Sequence, residues 1–169
     1  MFRVGHRPLI VIAGVIWFLI GLMLLTLGLH FIIDALYISP THFSPLAKLA
    51  KLFGGDQTHG AIVLITASLL LGVFKGRMAL AKSAKRQINR IIHLPTPTSI
   101  KNIYSPGMLL LIAAMMTLGM SMRFLPISLD MRGAIDVVVG SALLHGALVY
   151  FRFASTGYAA QNKNRSHIR

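Results

Sequence analysis

Residues 9–29 read LIVIAGVIWFLIGLMLLTLGL, a run with no charged residue and a single hydroxyl, Thr26. A helix that crosses about 30 Å of hydrocarbon, rising about 1.5 Å per residue, needs about 20 such residues. A helix apolar on every face is not stable against water. The run is therefore expected to be a membrane span. Working outward, three more apolar stretches follow, Gly60 to Leu80, Gly107 to Ile127 and Gly133 to Phe151, each of about the same length. The second is the weakest, because its uncharged part ends at Phe74. It spans only if Lys75 and Arg77 lie near headgroups and extend their charged ends into them.

The composition agrees. Mean hydropathy is +0.71, and 12% of residues are charged, where a soluble domain carries about a quarter. The expectation is an all-α polytopic membrane protein with four transmembrane helices. Arg3 and Arg7 before the first run resemble the start of a secretory signal, but the run is too long and lacks a small-residue cleavage site, so a retained first span is expected. The chain has no cysteine, which removes disulfides and thiol chemistry.

A net charge of +13 in a polar chain would point to nucleic acid. Here the charges sit between the apolar runs, and no nucleic-acid partner is expected. Arg3 and Arg7, then Lys75, Arg77, Lys82, Lys85, Arg86, Arg90 and Lys101, then Arg152, Lys163, Arg165 and Arg169 fall on one side with no acid among them. The other side holds Lys48, Lys51, Arg123 and Arg132 with all four acids, Asp34, Asp56, Asp130 and Asp136. The positive-inside rule puts both termini in the cytoplasm, and the asymmetry suits a bacterial inner membrane. Lys75, Arg77, Lys82, Lys85, Arg86 and Arg90 are the expected contacts for anionic headgroups.

Gly60-Ala61-Ile62 through Ser68, Leu70 and Leu71 recurs without gaps as Gly133-Ala134-Ile135 through Ser141, Leu143 and Leu144, and Thr26-Leu27-Gly28 recurs as Thr117-Leu118-Gly119. This reads as two parallel-repeat helical hairpins, over 8–93 and 107–152, joined by a cytoplasmic linker 94–106 and followed by a basic tail 153–169. In the longer outer loop of the first hairpin, Ser44 and Pro45 can start a short amphipathic helix that Gly54-Gly55 ends, lying in the outer interface or capping the bundle. Beyond Lys75 the apolar spacing of Met78, Ala81, Ile88, Ile91 and Ile92 continues opposite Lys82, Lys85, Arg86 and Arg90. A basic amphipathic helix is expected there, resting on inner headgroups or on a partner, and Pro95 and Pro97 stop it.

Lipid supplies no hydrophobic force between helices, so small-residue stripes mark contact faces. Gly14, Gly21 and Gly28 form one on the first span, Ser68, Gly72 and Gly76 another on the second, and Gly107, Ala114 and Ser121 a third on the third span. Whether these faces meet within one chain or between copies is left open.

Candidates for chemistry are few. Ser68, Asp136, Ser141 and His145 are the polar groups expected within the membrane, as seam hydrogen bonders or as pore lining. Asp136 is expected near the outer end of its helix, with Arg132 one turn back as a partner, and His145 deep in the same helix, one turn from Ser141. His30, His42 and His59 match no metal or haem spacing. No cofactor, metal or catalytic set is expected, and the chain contains no Glu. Two functions are expected, the first named being the leading one. One is a small-solute or ion transporter or channel assembled from several copies; the other is a structural or accessory subunit docked to a larger membrane complex or to anionic lipid.

Overall fold

The computed structural model describes residues 3–4, 6–38, 44–92, 98–99, 117, 121 and 124–157, which are helical apart from short connections and one two-residue strand pairing. Helix α1, His6–Tyr37, contains the long apolar run. Helix α2, Pro45–Leu52, follows with Ser44 as its cap, the hydroxyl accepting from the Ala47 amide at 3.1 Å. At its far end the amides of Phe53 and Gly55 both return to the Ala50 carbonyl, at 3.0 and 2.9 Å. That closure needs positive φ, and Gly54 and Gly55 supply it at 71° and 91°.

Helix α3, Gln57–Lys75, is capped by Asp56, and runs through a π turn, Gly76–Leu80, into α4, Ala81–Ile92. Helix α5, Leu129–Arg152, ends in a second π turn, Phe153–Gly157. Arg3–Val4 pairs antiparallel with Thr98–Ser99. Among the described residues, three helical stretches are long and apolar enough to cross a membrane, Arg7–Tyr37, Gln57–Arg90 and Leu129–Thr156. At about 1.5 Å per residue they measure about 42 to 51 Å. The expected third span, 107–127, lies outside the described residues except at Thr117, Ser121 and 124–127, and Gly107 and Ala114 lie outside them entirely.

Glycine contacts fix the helix directions. A Cβ on Gly14 would stand 2.9 Å from Tyr150 Cβ, one on Gly21 3.0 Å from the Gly140 carbonyl, and one on Gly28 2.7 Å from the Gly133 carbonyl. Rising numbers meet falling ones, so α1 and α5 are antiparallel. On the other side of α5, Gly72 meets Val138 and Ser141 while Gly76 meets Ala142 and His145, so α3 runs parallel to α5. The stripe Gly14, Gly21, Gly28 thus faces α5 of its own chain, where Gly133 and Gly140 answer it at the same seven-residue spacing. A Cβ on Gly140 would come within 2.6 Å of the Leu25 amide nitrogen. Two backbones at this range gain dispersion contacts along their whole length, which larger side chains would forbid.

The bundle has two cores. At one end Leu9, Ile10, Ala13 and Trp17 of α1 meet Ala84, Ile88 and Ile92 of α4 and Ala147 and Tyr150 of α5. At the other, Ile32, Leu46, Ala61, Leu64 and Val137 join α1, α2, α3 and α5. Of the described side chains, the first end carries most of the basic ones and the second all four carboxylates, which makes them the basic and the acidic end.

Of the two amphipathic helices, α4 departs from expectation, whereas α2 takes one of its two expected places, over the end of the bundle. The apolar face of α4 is not turned to a lipid surface: Ala84, Ile88 and Ile92 are buried against α1 and α5, because an exposed apolar stripe beside two long helices gains more by packing on them. In α2 the apolar residues divide. Leu46 and Ala50 are buried against α3 at Gly60, whereas Leu52 is 77% exposed, so this helix covers the acidic end with one edge left free.

Candidate functional site

Ser141 occupies the seam between α3 and α5. Its hydroxyl donates to the carbonyl of Val137 at 2.7 Å, with Val138 at 3.1 Å, on its own helix. Bonding back to the preceding turn satisfies a buried hydroxyl where no water is available. Gly72 lies directly opposite, and a Cβ there would collide with the Ser141 oxygen and the Val138 carbonyl. Ser68 is buried one turn from Gly72 on the same stripe of α3. His145 is half-buried one turn beyond Ser141, with its Cβ 3.1 Å from the position a Gly76 Cβ would take. The structure therefore brings Ser68, Ser141 and His145 to one helix seam, and the Ser141 hydroxyl is directed to backbone rather than to His145.

Asp136 is on a different side of α5. Its Cβ stands 2.9 Å from the position of a Gly28 Cβ, which places it half-buried in the α1–α5 seam, away from His145. Arg132, its expected partner, acts on Asp136 electrostatically but without contact at ion-pair distance. The Arg132 guanidinium lies over the Phe31 ring, 4.7 Å from its centroid, and among the described residues the ion pairs are His30–Asp34 and His59–Asp56.

Those pairs join side chains one turn apart on the acidic end. His59 Nδ1 lies 2.5 Å from Asp56 Oδ2, and the other Asp56 oxygen accepts from the Thr58 amide at 2.8 Å. The His59 side chain above all, and then the Thr58 amide, hold the Asp56 carboxyl below its ordinary value of 3.8. His30 Nε2 lies 3.5 Å from Asp34 Oδ2.

Asp130 was not a candidate in the sequence, yet it is the most deeply buried carboxylate, 2% exposed. Its Oδ2 accepts from the Ser44 hydroxyl at 2.8 Å and from the Leu46 amide at 2.7 Å. A carboxylate in the first turn of α5 thus serves the N-terminus of α2, where free amides and the helix dipole both favour negative charge. The signal that would find it is an acid in the first turn of an apolar helix, together with a second helix start that has more amides than its own cap can satisfy.

The basic residues form the other feature. Lys75, Arg77, Lys82, Lys85, Arg86 and Arg90 are all exposed, on the end of α3, the π turn and the outer face of α4. Gly76 packs at Ala142 and His145, and Gly21 packs at Gly140 and Leu144, so Lys75 and Arg77 share a level with Gly21 of α1 and His145 of α5. Beyond that level, toward the basic end, both neighbouring helices remain apolar, from Gly21 back to Leu9 and from Ala147 to Phe151. No carboxylate side chain lies on this end. No protein-family model, curated protein or solved structure matches this chain.

Proposed function

We propose that this chain is a four-span inner-membrane protein with both termini in the cytoplasm, and that it works as a non-catalytic structural or accessory subunit. The observation that carries the functional part is the closeness of the seams. Gly21 against Gly140, Gly28 against Gly133 and Gly72 against the Val138 carbonyl bring helix backbones into direct approach, and the Ser141 hydroxyl is used within its own helix. Polar groups spent on packing favour a scaffold over a lined path.

The fourth span has support from helix direction. Because α3 and α5 run parallel, the chain leaves α4 at the basic end and enters α5 at the acidic end. The apolar run Gly107–Ile127 has the length for that return, and two hairpins in parallel repeat follow from it. Anionic headgroups of the cytoplasmic leaflet are the proposed partners of the basic residues on α4, with a larger membrane complex docking on the exposed apolar sides of α1 and α3.

Transport by an assembly of several copies is the second reading. It is favoured by His145, half-buried beside the π turn, since intramembrane histidines and π turns both recur at functional sites. Mass in mild detergent followed by flux into liposomes separates the two. The accessory role gives no flux for the isolated chain and recovery with a second membrane protein; a closed homo-oligomer that passes a solute overturns it.

A further inference from the structure

On the membrane reading above, the levels of the cations have a consequence. The stretch from Leu9 to Gly21 is about 18 Å long and that from His145 to Phe151 about 9 Å, at about 1.5 Å per residue. Lys75 and Arg77, expected at headgroup level, therefore stand instead inside the apolar zone set by α1 and α5, the deepest of the six exposed cations along α3 and α4 and farther in than a side chain reaches by snorkelling. Charges at that depth are costly unless they are paired. All four acids of the chain, Asp34, Asp56, Asp130 and Asp136, are at the acidic end. The protein supplies no carboxylate side chain for these cations, so the counter-charge comes from outside it.

The immediate surroundings specify its form. Val73, Phe74 and Met78, next to the two cations in the chain, are exposed and apolar. A ligand that satisfies both has an anionic head and an acyl body. We propose that Lys75 and Arg77, on either side of the Gly76–His145 contact, bind the phosphate groups of anionic phospholipid drawn below the general headgroup level, while Lys85 and Arg90 meet ordinary headgroups. Arginine and lysine pair with phosphate through charge-assisted hydrogen bonds, and these strengthen as water is excluded. Lys75 and Arg77 are the chain neighbours of Gly76 on either side, so helical rotation of about 100° per residue sets them to the two flanks of the contact by which Gly76 keeps α3 against α5.

The test uses the full chain in vesicles of phosphatidylcholine containing phosphatidylglycerol, with retained lipid counted by native mass spectrometry after mild detergent extraction. Wild type is expected to retain phosphatidylglycerol. The double substitution Lys75→Gln with Arg77→Gln should lower retention about tenfold, Lys85→Gln with Arg90→Gln less than threefold, and the exchange Lys75→Arg with Arg77→Lys should keep it. Equal loss in the two glutamine pairs, or displacement of the lipid by millimolar inorganic phosphate, overturns the proposal. Helicity and insertion into the vesicles are measured on every variant. If wild type fails to insert, the membrane reading itself falls; if all chains insert and retention is alike, only the lipid site falls.

Discussion

Asp130 shows how one side chain can fasten an element it does not belong to. Two donors of the α2 start, the Ser44 hydroxyl and the Leu46 amide, end on one buried carboxylate oxygen. Removing it orphans both. Asp130→Ala is expected to loosen α2 by about 2 kcal/mol, seen as roughly thirtyfold faster tryptic cleavage at Lys48 and Lys51 in the otherwise intact bundle. An unchanged rate would mean that packing of Leu46 and Ala50 alone holds the helix. Asp56 makes a pH-dependent counterpart at the start of α3. Its carboxyl is held below 3.8 in the fold by His59 and the Thr58 amide, so its contribution is complete above that value and is lost as pH falls through the lower folded one. Protection factors at Thr58 and His59 should therefore persist above pH 3.8 and fall only as pH drops below that value, while protection in the middle of α3 stays constant.

At the scale of the element, the seams behave as fixed distances rather than adjustable surfaces. Gly72→Ala forces a methyl group onto Ser141 and the Val138 carbonyl, and is expected to cost about 1–3 kcal/mol in a detergent unfolding assay. Adding Ser141→Ala should restore only part of that, because the carbonyl cannot move without the helix. For α4, Ile88→Ala should destabilise the bundle by about 2–4 kcal/mol, since Ile88 is 2% exposed between α1 and α5. No change would return α4 to a surface helix.

These elements also mark what the sequence discloses. Helix α1 and the start and stop of α2 were legible because unbroken apolarity, Ser44-Pro45 and Gly54-Gly55 act locally. The face that α4 chooses was not legible, because a basic amphipathic pattern is the same whether its apolar side meets lipid, a partner or its own bundle. The stripe Gly14, Gly21, Gly28 was visible as a contact face, but its match at Gly133 and Gly140 needed the helix directions, which no spacing supplies. Asp130 was hidden for a related reason: its partners, Ser44 and Leu46, are remote in the sequence.

At the scale of the molecule, charge and topology are one statement. The acids and most of the described cations lie toward opposite ends of helices about 42–51 Å long, which is more than the hydrocarbon thickness of a bilayer. On the proposed membrane reading, such a distribution would set orientation through the positive-inside rule and place the basic end against cytoplasmic anions. Each half of the account therefore depends on which end faces which compartment. The absence of cysteine from the natural chain makes this directly measurable. Single cysteines placed at Lys48 on the acidic end and at Lys85 on the basic end are treated with a membrane-impermeant maleimide, in intact cells and after lysis. The account predicts labelling at position 48 in intact cells and at position 85 only after lysis; labelling of both from the same side would contradict it.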